Sequence, residues 1–414
     1  MVSAPCWAYR PVQRAVTRAS QGLAMTRSAH VIVVGGGIGG LAAALGLLRA
    51  GQRVTLLEQV ASLAEVGAGL SITPNAGKAL DFLGLGDVLT RIGNTPPAGQ
   101  IRHFQTGATL VNLPQDQSRE KYGKPLYHVH RADLHAALAA AVAALDAGCL
   151  HTGCEVQQVD SRADGVRVTL ADGSGIDADW LVGADGIHSR VRSELMGPDR
   201  PNFTGYVAWR GLIPGELVDP ALLDPPLCMT VGPRRMLMRY PLRRGALVNF
   251  VAIARRSAWM EEGWSVRSEP HELLDEFADF ETHTLRLLAL TPADRLFKWG
   301  LFDRDPLSGW TRGRATLLGD AAHAMPPFTG QGAVMALEDA AILGRAAAAT
   351  ADVDELMRRY EAARLPRVTA ALAMSRARSE LYFADDPLQQ VRALGAGMAE
   401  LRTLYDYDAA TVPV

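Results

Sequence analysis

The stretch that most restricts what this 414-residue chain can fold into runs from His30 to Glu58. Val31 to Val34 is a β-branched run of the kind that forms a strand buried on both faces. It stops at glycines where a helix-period pattern, Leu41, Leu45 and Leu48, begins. Gly35, Gly37 and Gly40 fall at G-x-G-x-x-G spacing. The first permits a tight turn, the second lets a pyrophosphate approach the backbone, and the third lets the helix pack close on the strand. The helix starts around Ile38 and Gly39, and its unpaired N–H groups favour phosphate. A second strand, 53–57, ends in Glu58, whose carboxylate can accept from both hydroxyls of an adenosine ribose. Glycines at this spacing also occur in ordinary βαβ turns; strand, glycines, helix, strand and acid in this order select a dinucleotide site. Glu58 would repel a 2′-phosphate, so the site suits an ADP moiety with free ribose hydroxyls, as in FAD or NAD.

The length allows two or three domains. A hydrophobic content of 48% with 21% charged residues is globular composition, and a net charge of −2 gives no electrostatic case for nucleic acid. Cys6, Cys149, Cys154 and Cys228 show no CxxC spacing, which argues against a zinc or disulfide framework; no metal site is expected and a reducing cytoplasm fits best. The first 24 residues carry Arg10, Arg14 and Arg18 and no acid, a transit-peptide-like composition. Met25, just before the first strand, gives the plainer reading that residues 1–28 are a disordered leader or lie upstream of the true start. Residues 32–48 are apolar, but the glycine cluster and helix period argue for a buried βα unit over a membrane span.

Beyond Glu58, residues 65–73 form a glycine-bearing loop able to pass close to a flat ligand, and a helix over 76–83 stops at Gly84 and Gly86. Strands are expected over 100–105, 109–113 and 126–130. Arg131 then opens an alanine-rich helix, 132–145. A guanidinium is poorly placed for the dipole there, so Arg131 serves an anion or polar ligand, or else a salt bridge with Asp133. Strands over 155–159, 166–170 and 176–182 lead into Gly183-Ala184-Asp185-Gly186 and a following helix. This is either a second wall of the nucleotide crevice or, taken alone, a plain Asp-Gly turn.

From 202 to about 299 the texture changes to alternating strands, 206–213, 227–231, 236–240 and 247–254, followed by helices 271–280 and 282–289. An antiparallel sheet inserted into an α/β domain is the expected arrangement. Parity puts Tyr206, Ala208 and Arg210 on one face and Val207, Trp209 and Gly211 on the other. The chain returns to a buried strand, 315–318, ending in Gly319-Asp320, and a helix over 333–349 follows Gly330-Gln331-Gly332. Asp320 thus sits at a strand's carboxyl end, where open α/β sheets bind ligands. His323 reads as a packed, hydrogen-bonded residue more than as a base. The tail, 354–383, is a helical pattern that Pro366 kinks or divides.

With three glycine-and-acid pieces in order (Gly35 to Gly40 with Glu58, Gly183 to Arg192, Gly319 to Gly332), the chain resembles the group A flavoprotein monooxygenases. These are single-component aromatic hydroxylases with the para-hydroxybenzoate hydroxylase fold, and the resemblance covers nearly everything from residue 29 onward. It implies an α/β protein: a Rossmann-like, GR2-type FAD-binding domain with an inserted, mainly antiparallel β-sheet substrate domain and C-terminal helices. The divisions would be 29–200 and 301–350 for the FAD domain, 201–300 for the substrate sheet, and 351–414 for the helical tail. It also implies tightly but non-covalently bound FAD, NADH or NADPH as a transient co-substrate without a Rossmann domain of its own, and O2, with hydroxylation through a C4a-hydroperoxide. Carried over, Glu58 holds the adenosine ribose, Arg131 the ribityl and phosphate portion, and Val156 the adenine through its backbone. Asp185 takes the Asp-Gly role between FAD and nicotinamide, and Asp320 a ribityl hydroxyl, with Gly319, Gly332 and Ala333 bringing backbone to the flavin.

Within the family, residues 207–213, Tyr240-Pro241-Leu242 and 299–310 look most like the salicylate hydroxylase and 6-hydroxynicotinate 3-monooxygenase branch. A small phenolic or N-heteroaromatic acid is therefore the expected substrate and partner, with a larger polycyclic ring as the alternative; a homodimer is left open. Flavin-dependent halogenases share the fold but carry a WxWxIP motif and a relay lysine. Here that run is Trp209-Arg-Gly-Leu-Ile-Pro214, and Lys78, Lys121, Lys124 and Lys298 stand in no comparable one. Arg210, Arg239 and Tyr240 are the candidate substrate contacts. Arg210 would pair with a carboxylate or serve a structural salt bridge; Tyr240 would relay a proton or be satisfied by a backbone carbonyl. Ser71, Trp209, Met238 and Phe328 are the expected pocket walls.

Overall fold

The strand His30–Val34 is the middle of a parallel sheet ordered Ala315–Leu317, Trp180–Gly183, His30–Val34, Arg53–Glu58, Leu150–Thr152. Its β-branched side chains are solvent-free because strands pair with it on both edges and helices cover the sheet. The computed structural model describes residues 28–63, 69–115, 117–259, 266–396 and 403–414; the leader at 1–27 and residues 64–68 of the glycine-bearing loop lie outside the described residues. Helix Ile38–Arg49 packs between Arg131–Leu145 and Gly332–Ala349. A Cβ on Gly344 would meet the Gly46 backbone at 3.1 Å, so the helices carrying these two glycines cross at backbone contact.

Residues 176–182, expected as one strand, are two. Gly175–Ala178 closes a three-stranded antiparallel layer with Val166–Leu170 and Val156–Ser161, while Trp180–Gly183 joins the parallel sheet. Asp179 makes the break: its carboxylate accepts from His30 N at 2.6 Å and its own N–H donates to His30 O at 2.9 Å.

The second large sheet has eight strands in the order Val266–Arg267, Leu296–Asp303, Asn202–Pro214, Leu247–Arg255, Arg235–Leu242, Leu227–Gly232, Ala98–His103, Thr109–Pro114. It is antiparallel except where Leu227–Gly232 pairs in parallel with Ala98–His103, and it therefore takes in two strands that precede residue 201. Both faces are buried. Val207, Trp209 and Leu237 pack under helices Pro270–Glu276 and Thr282–Ala289, while Tyr206, Ala208 and Met236 pack toward Phe328 and Phe383. Pro366 neither ends nor divides its helix, which runs unbroken over Val353–Tyr382. Arg364 and Arg367 on either side are tied to Glu338, holding the proline's turn in line despite the missing N–H. Among the described residues no helix is long and apolar enough to cross a membrane, and no group of side chains could hold a metal ion.

Candidate active site

The three glycine-and-acid turns end neighbouring parallel strands, and so lie along one carboxyl edge. Val34 pairs with Gly183 and Gly183 with Leu317. Gly35, at φ 104°, leaves no room for a Cβ, which would strike the carbonyl of Ala184; the first and second motifs touch here. A Cβ on Gly40 would strike Gly35 O, and one on Gly39 would crowd Leu318 and Ala336 at 3.0 and 3.3 Å, so this turn is packed to the limit on its protein side. Ile38 is buried behind it. On the other side, a Cβ on Gly37 or Gly332 would meet no atom within 4 Å. The helices starting beside these two glycines, at Ile38 and at Gly332-Ala333, have no side-chain cap. A cradle of glycine with unpaired N–H groups at two helix starts fits the pyrophosphate and ring of a dinucleotide.

Glu58 joins that edge at the end of the next strand: its carboxylate accepts from Gly36 N at 2.6 Å and from Val60 N at 2.9 Å. His135 Nε2 lies 2.7 Å from Gly36 O, buttressing the same loop from behind. Val156, buried, begins its strand two residues after Cys154 N bonds Glu58 O. Arg131 is the first residue of its helix. The Asp133 carboxylate in that turn is held in a two-point ion pair, at 2.6 and 2.9 Å, by Arg243 in the turn between two strands of the eight-stranded sheet.

Asp185 is turned inward. Its carboxylate accepts from Ser189 Oγ at 2.5 Å and Val191 N at 3.0 Å, and burial pushes its pKa up against those hydrogen bonds. Asp320, by contrast, is exposed at the carboxyl end of Ala315–Leu317, directly after Gly319 at φ 62°. Behind it Asp339 accepts from Gly319 N at 3.0 Å, from His323 Nε2 at 2.6 Å and from Arg364 at 2.6 Å. Burial works against the Asp339 carboxylate, but His323 and Arg364 hold its pKa down to about 2. His323 is thus packed and hydrogen-bonded. Arg192 ties the second motif to the third, donating to Ala321 O and Ala322 O at 3.1 Å each. Sequence reasoning assigned no role to Arg192, Arg364 or Asp339, because each reads as an ordinary helix charge.

The sheet register builds the facing wall. Met229, Met238, Val251, Arg210 and Phe297 form one cross-strand row, and Tyr240, Asn249 and Leu212 the next on the same face. Arg210 lies over the Trp299 ring, 5.0 Å from its centroid. Phe328, from the turn Pro327–Thr329 inside the third motif, meets Tyr206 edge-on at 5.3 Å. Ser71 is brought up by its own small sheet and would be 3.8 Å from a Cβ on Gly330. Trp209 and Arg239 are not brought to this wall. Trp209 points into the helix-covered face, bonding Ser268 Oγ at 3.1 Å and meeting Phe277 edge-on, and Arg239 bonds Pro225 O at 2.9 Å beside Cys228 on that same face. Alternation explains both placements, since each is one residue out of step with Arg210 or Tyr240. Lys298 is also on the outer face, paired with Glu272 at 3.1 Å, and Lys124 is paired with Asp81. Sequence reasoning missed His128, which is buried and stacked on Tyr240 at 4.0 Å.

Of the four sheets, the two large ones set a dinucleotide cradle at the edge of one against an aromatic and basic wall on the other, the layout of an FAD-dependent oxidoreductase with a separate substrate face. The chain belongs to the family described as FAD binding domain, which it matches over residues 28–375. It is 38% identical to 3-amino-4-hydroxybenzoate 2-monooxygenase PtmB3 of Streptomyces platensis, over 92% of this chain and 97% of that one. It is also 38% identical to 6-hydroxynicotinate 3-monooxygenase of Bordetella bronchiseptica, over 76% and 82%. A salicylate hydroxylase solved as a substrate complex superposes with a TM-score of 0.78 at 29% identity, covering 94% of this chain and 99% of that one. The protein is an FAD-dependent monooxygenase with NAD(P)H as electron donor and O2 as co-substrate.

Proposed function

We propose that the protein hydroxylates a small aromatic acid, phenolic or N-heteroaromatic, bound between the glycine-rich edge and the Arg210–Tyr240 face. The observation that carries this reading is the Arg210 guanidinium on a wall otherwise built of Met238, Trp299 and Phe328. A cation on an apolar, ring-lined surface offers a carboxylate its charge partner while the rest of the ring is stripped of water. FAD, when bound, accepts hydride from NAD(P)H and activates O2 for transfer to an electron-rich ring. Gly37, Gly332 and the two helix starts hold its phosphates and ring, Glu58 its ribose, and Asp320 a ribityl hydroxyl. Arg210 orients the acid, Met238 and Phe328 exclude water from the reacting face, and Tyr240 contacts a ring oxygen.

The test is a screen of hydroxybenzoates, aminohydroxybenzoates and hydroxynicotinates for stimulated NADH or NADPH oxidation with a mono-oxygenated product. Coupling with at least one such acid, and a raised KM for it in Arg210→Gln, is the expected result. If only neutral or polycyclic rings couple, the reading is wrong.

A further inference from the structure

At the seam between the small sheet and the substrate sheet, buried His128 and Tyr240 and half-buried Ser71 form a chain with a direction. Ser71 is paired opposite His128 in the strands Gly69–Ile72 and Tyr127–His130, and Ser71 Oγ lies 3.2 Å from His128 Nδ1. Tyr240 closes the group: its ring stacks on His128 with centroids 4.0 Å apart and planes 21° apart, and the Ser71 hydroxyl acts on its phenol in the sense of a donor, working against the burial that pushes the Tyr240 pKa up. Among the described residues, buried His128 Nε2 meets no hydrogen-bond partner.

That unpartnered nitrogen decides the direction. The ring is neutral, since burial lowers its pKa to about 3, and it carries one N–H. Were the proton on Nε2, a donor would be stranded in the interior; on Nδ1, only a lone pair is stranded. A buried N–H without an acceptor is the rarer and costlier of the two. Nδ1–H therefore donates to Ser71 Oγ, the Ser71 hydroxyl donates to the Tyr240 oxygen, and the Tyr240 O–H is the one proton left to point out of the chain.

We propose that His128 acts through Ser71 to fix Tyr240 as a hydrogen-bond donor toward the substrate, so that the site selects a ring oxyanion, phenolate or carboxylate, over a neutral hydroxyl or an ether at that position. This rests on the aromatic-acid reading above. His128 is a positioning residue; no bond breaks and no proton leaves it. A donor held toward a phenolate favours the ionised ring, which is the electron-rich form an electrophilic oxygen attacks.

The probe is 4-hydroxy-3-nitrobenzoate, whose phenolate absorbs visibly, titrated by difference spectroscopy on the holoenzyme. Bound to the native protein, its phenol ionises at lower pH than when free. In His128→Phe, which keeps the stacked ring and loses the N–H, the bound pKa rises by about one unit, a tenfold change, and Ser71→Ala does the same. His128→Asn, whose amide N–H can stand in for Nδ1–H, restores the native value. An unchanged pKa in His128→Phe overturns the proposal, and so does a bound pKa above the free one in the native protein. Independently of any ligand, the ¹⁵N shifts of His128 in the native holoenzyme report a proton on Nδ1; a proton on Nε2 overturns it whether or not the variants fold. If Nδ1 is protonated but the probe does not bind, the polarity stands and the aromatic-acid reading is what fails.

Discussion

Gly35 and Gly37 are two residues apart in one loop, yet substitution should separate their roles. A side chain at Gly35 meets backbone and forces an unfavourable φ, so Gly35→Ala is expected to lower the melting temperature of apoprotein and holoenzyme alike. At Gly37 a Cβ meets no described protein atom within 4 Å, so Gly37→Ala should leave apoprotein melting unchanged while lowering FAD retention, read from the ratio of 450 to 280 nm absorbance. Asp320→Ala belongs with the second case: the carboxylate is exposed, so flavin occupancy should fall with no change in far-UV circular dichroism. Retained flavin would remove Asp320 from the site. The burial of neutral His128 makes a pH prediction. Its folded-state pKa, about 3, lies below the unfolded value of 6.5, so the stability it lends is complete above pH 6.5 and drains away as pH falls toward 3. Urea unfolding of His128→Phe should therefore lose less stability between pH 6.5 and 4 than the native protein does, by up to one proton's worth of slope. At this scale much was legible. Gly35, Gly37, Gly40, Glu58 and Asp320 are legible as the turns and acids that end neighbouring strands, because spacing within a βα unit fixes their places. His128 did not, since its importance lies in contacts with residues 57 and 112 positions away.

Among the elements, helices Gly332–Ala349 and Val353–Tyr382 are joined by a charge cluster whose centre, Arg364, Glu338 and Asp339, has no solvent exposure. Arg364 bonds Glu338 at 2.7 Å and Asp339 at 2.6 Å, and Arg367 and Asn75 complete Glu338 at 3.0 and 2.6 Å. Removing Arg364 alone takes one charge partner from each of two buried carboxylates and leaves Glu338 with Arg367 and Asn75, and Asp339 with His323 and Gly319 N. Arg364→Leu is expected to cost about 3–5 kcal/mol in urea unfolding, and to weaken FAD binding as well, because Asp339 also fixes Gly319 N–H. A loss below about 1 kcal/mol would show that the cluster is not what joins the helices. Nothing local betrays such a network, since the partners stand about 25 residues apart and each lies on a helix whose charges look like surface charges. The same blindness to distant partners explains why Pro366 reads as a breaker and why the bend at Asp179 was invisible. In the first case Glu338 anchors the flanking arginines, and in the second His30, 149 residues away, terminates the strand.

The whole molecule sets one sheet's carboxyl edge against one face of another, and that face presents every second residue of each strand. Trp209→Phe, on the far face, should alter stability by about 1 kcal/mol and leave KM for the coupled acid unchanged, whereas Arg210→Gln should raise that KM at least tenfold with little effect on apoprotein melting. Equal effects on KM would contradict the assignment of faces. An engineer seeking a different ring specificity thus inherits a short address list. A library at positions 208, 210, 238 and 240 explores the reactive side, while holding 207, 209, 237 and 239 constant preserves the layer packed under the two helices, so new preferences can be sought without first rebuilding the scaffold.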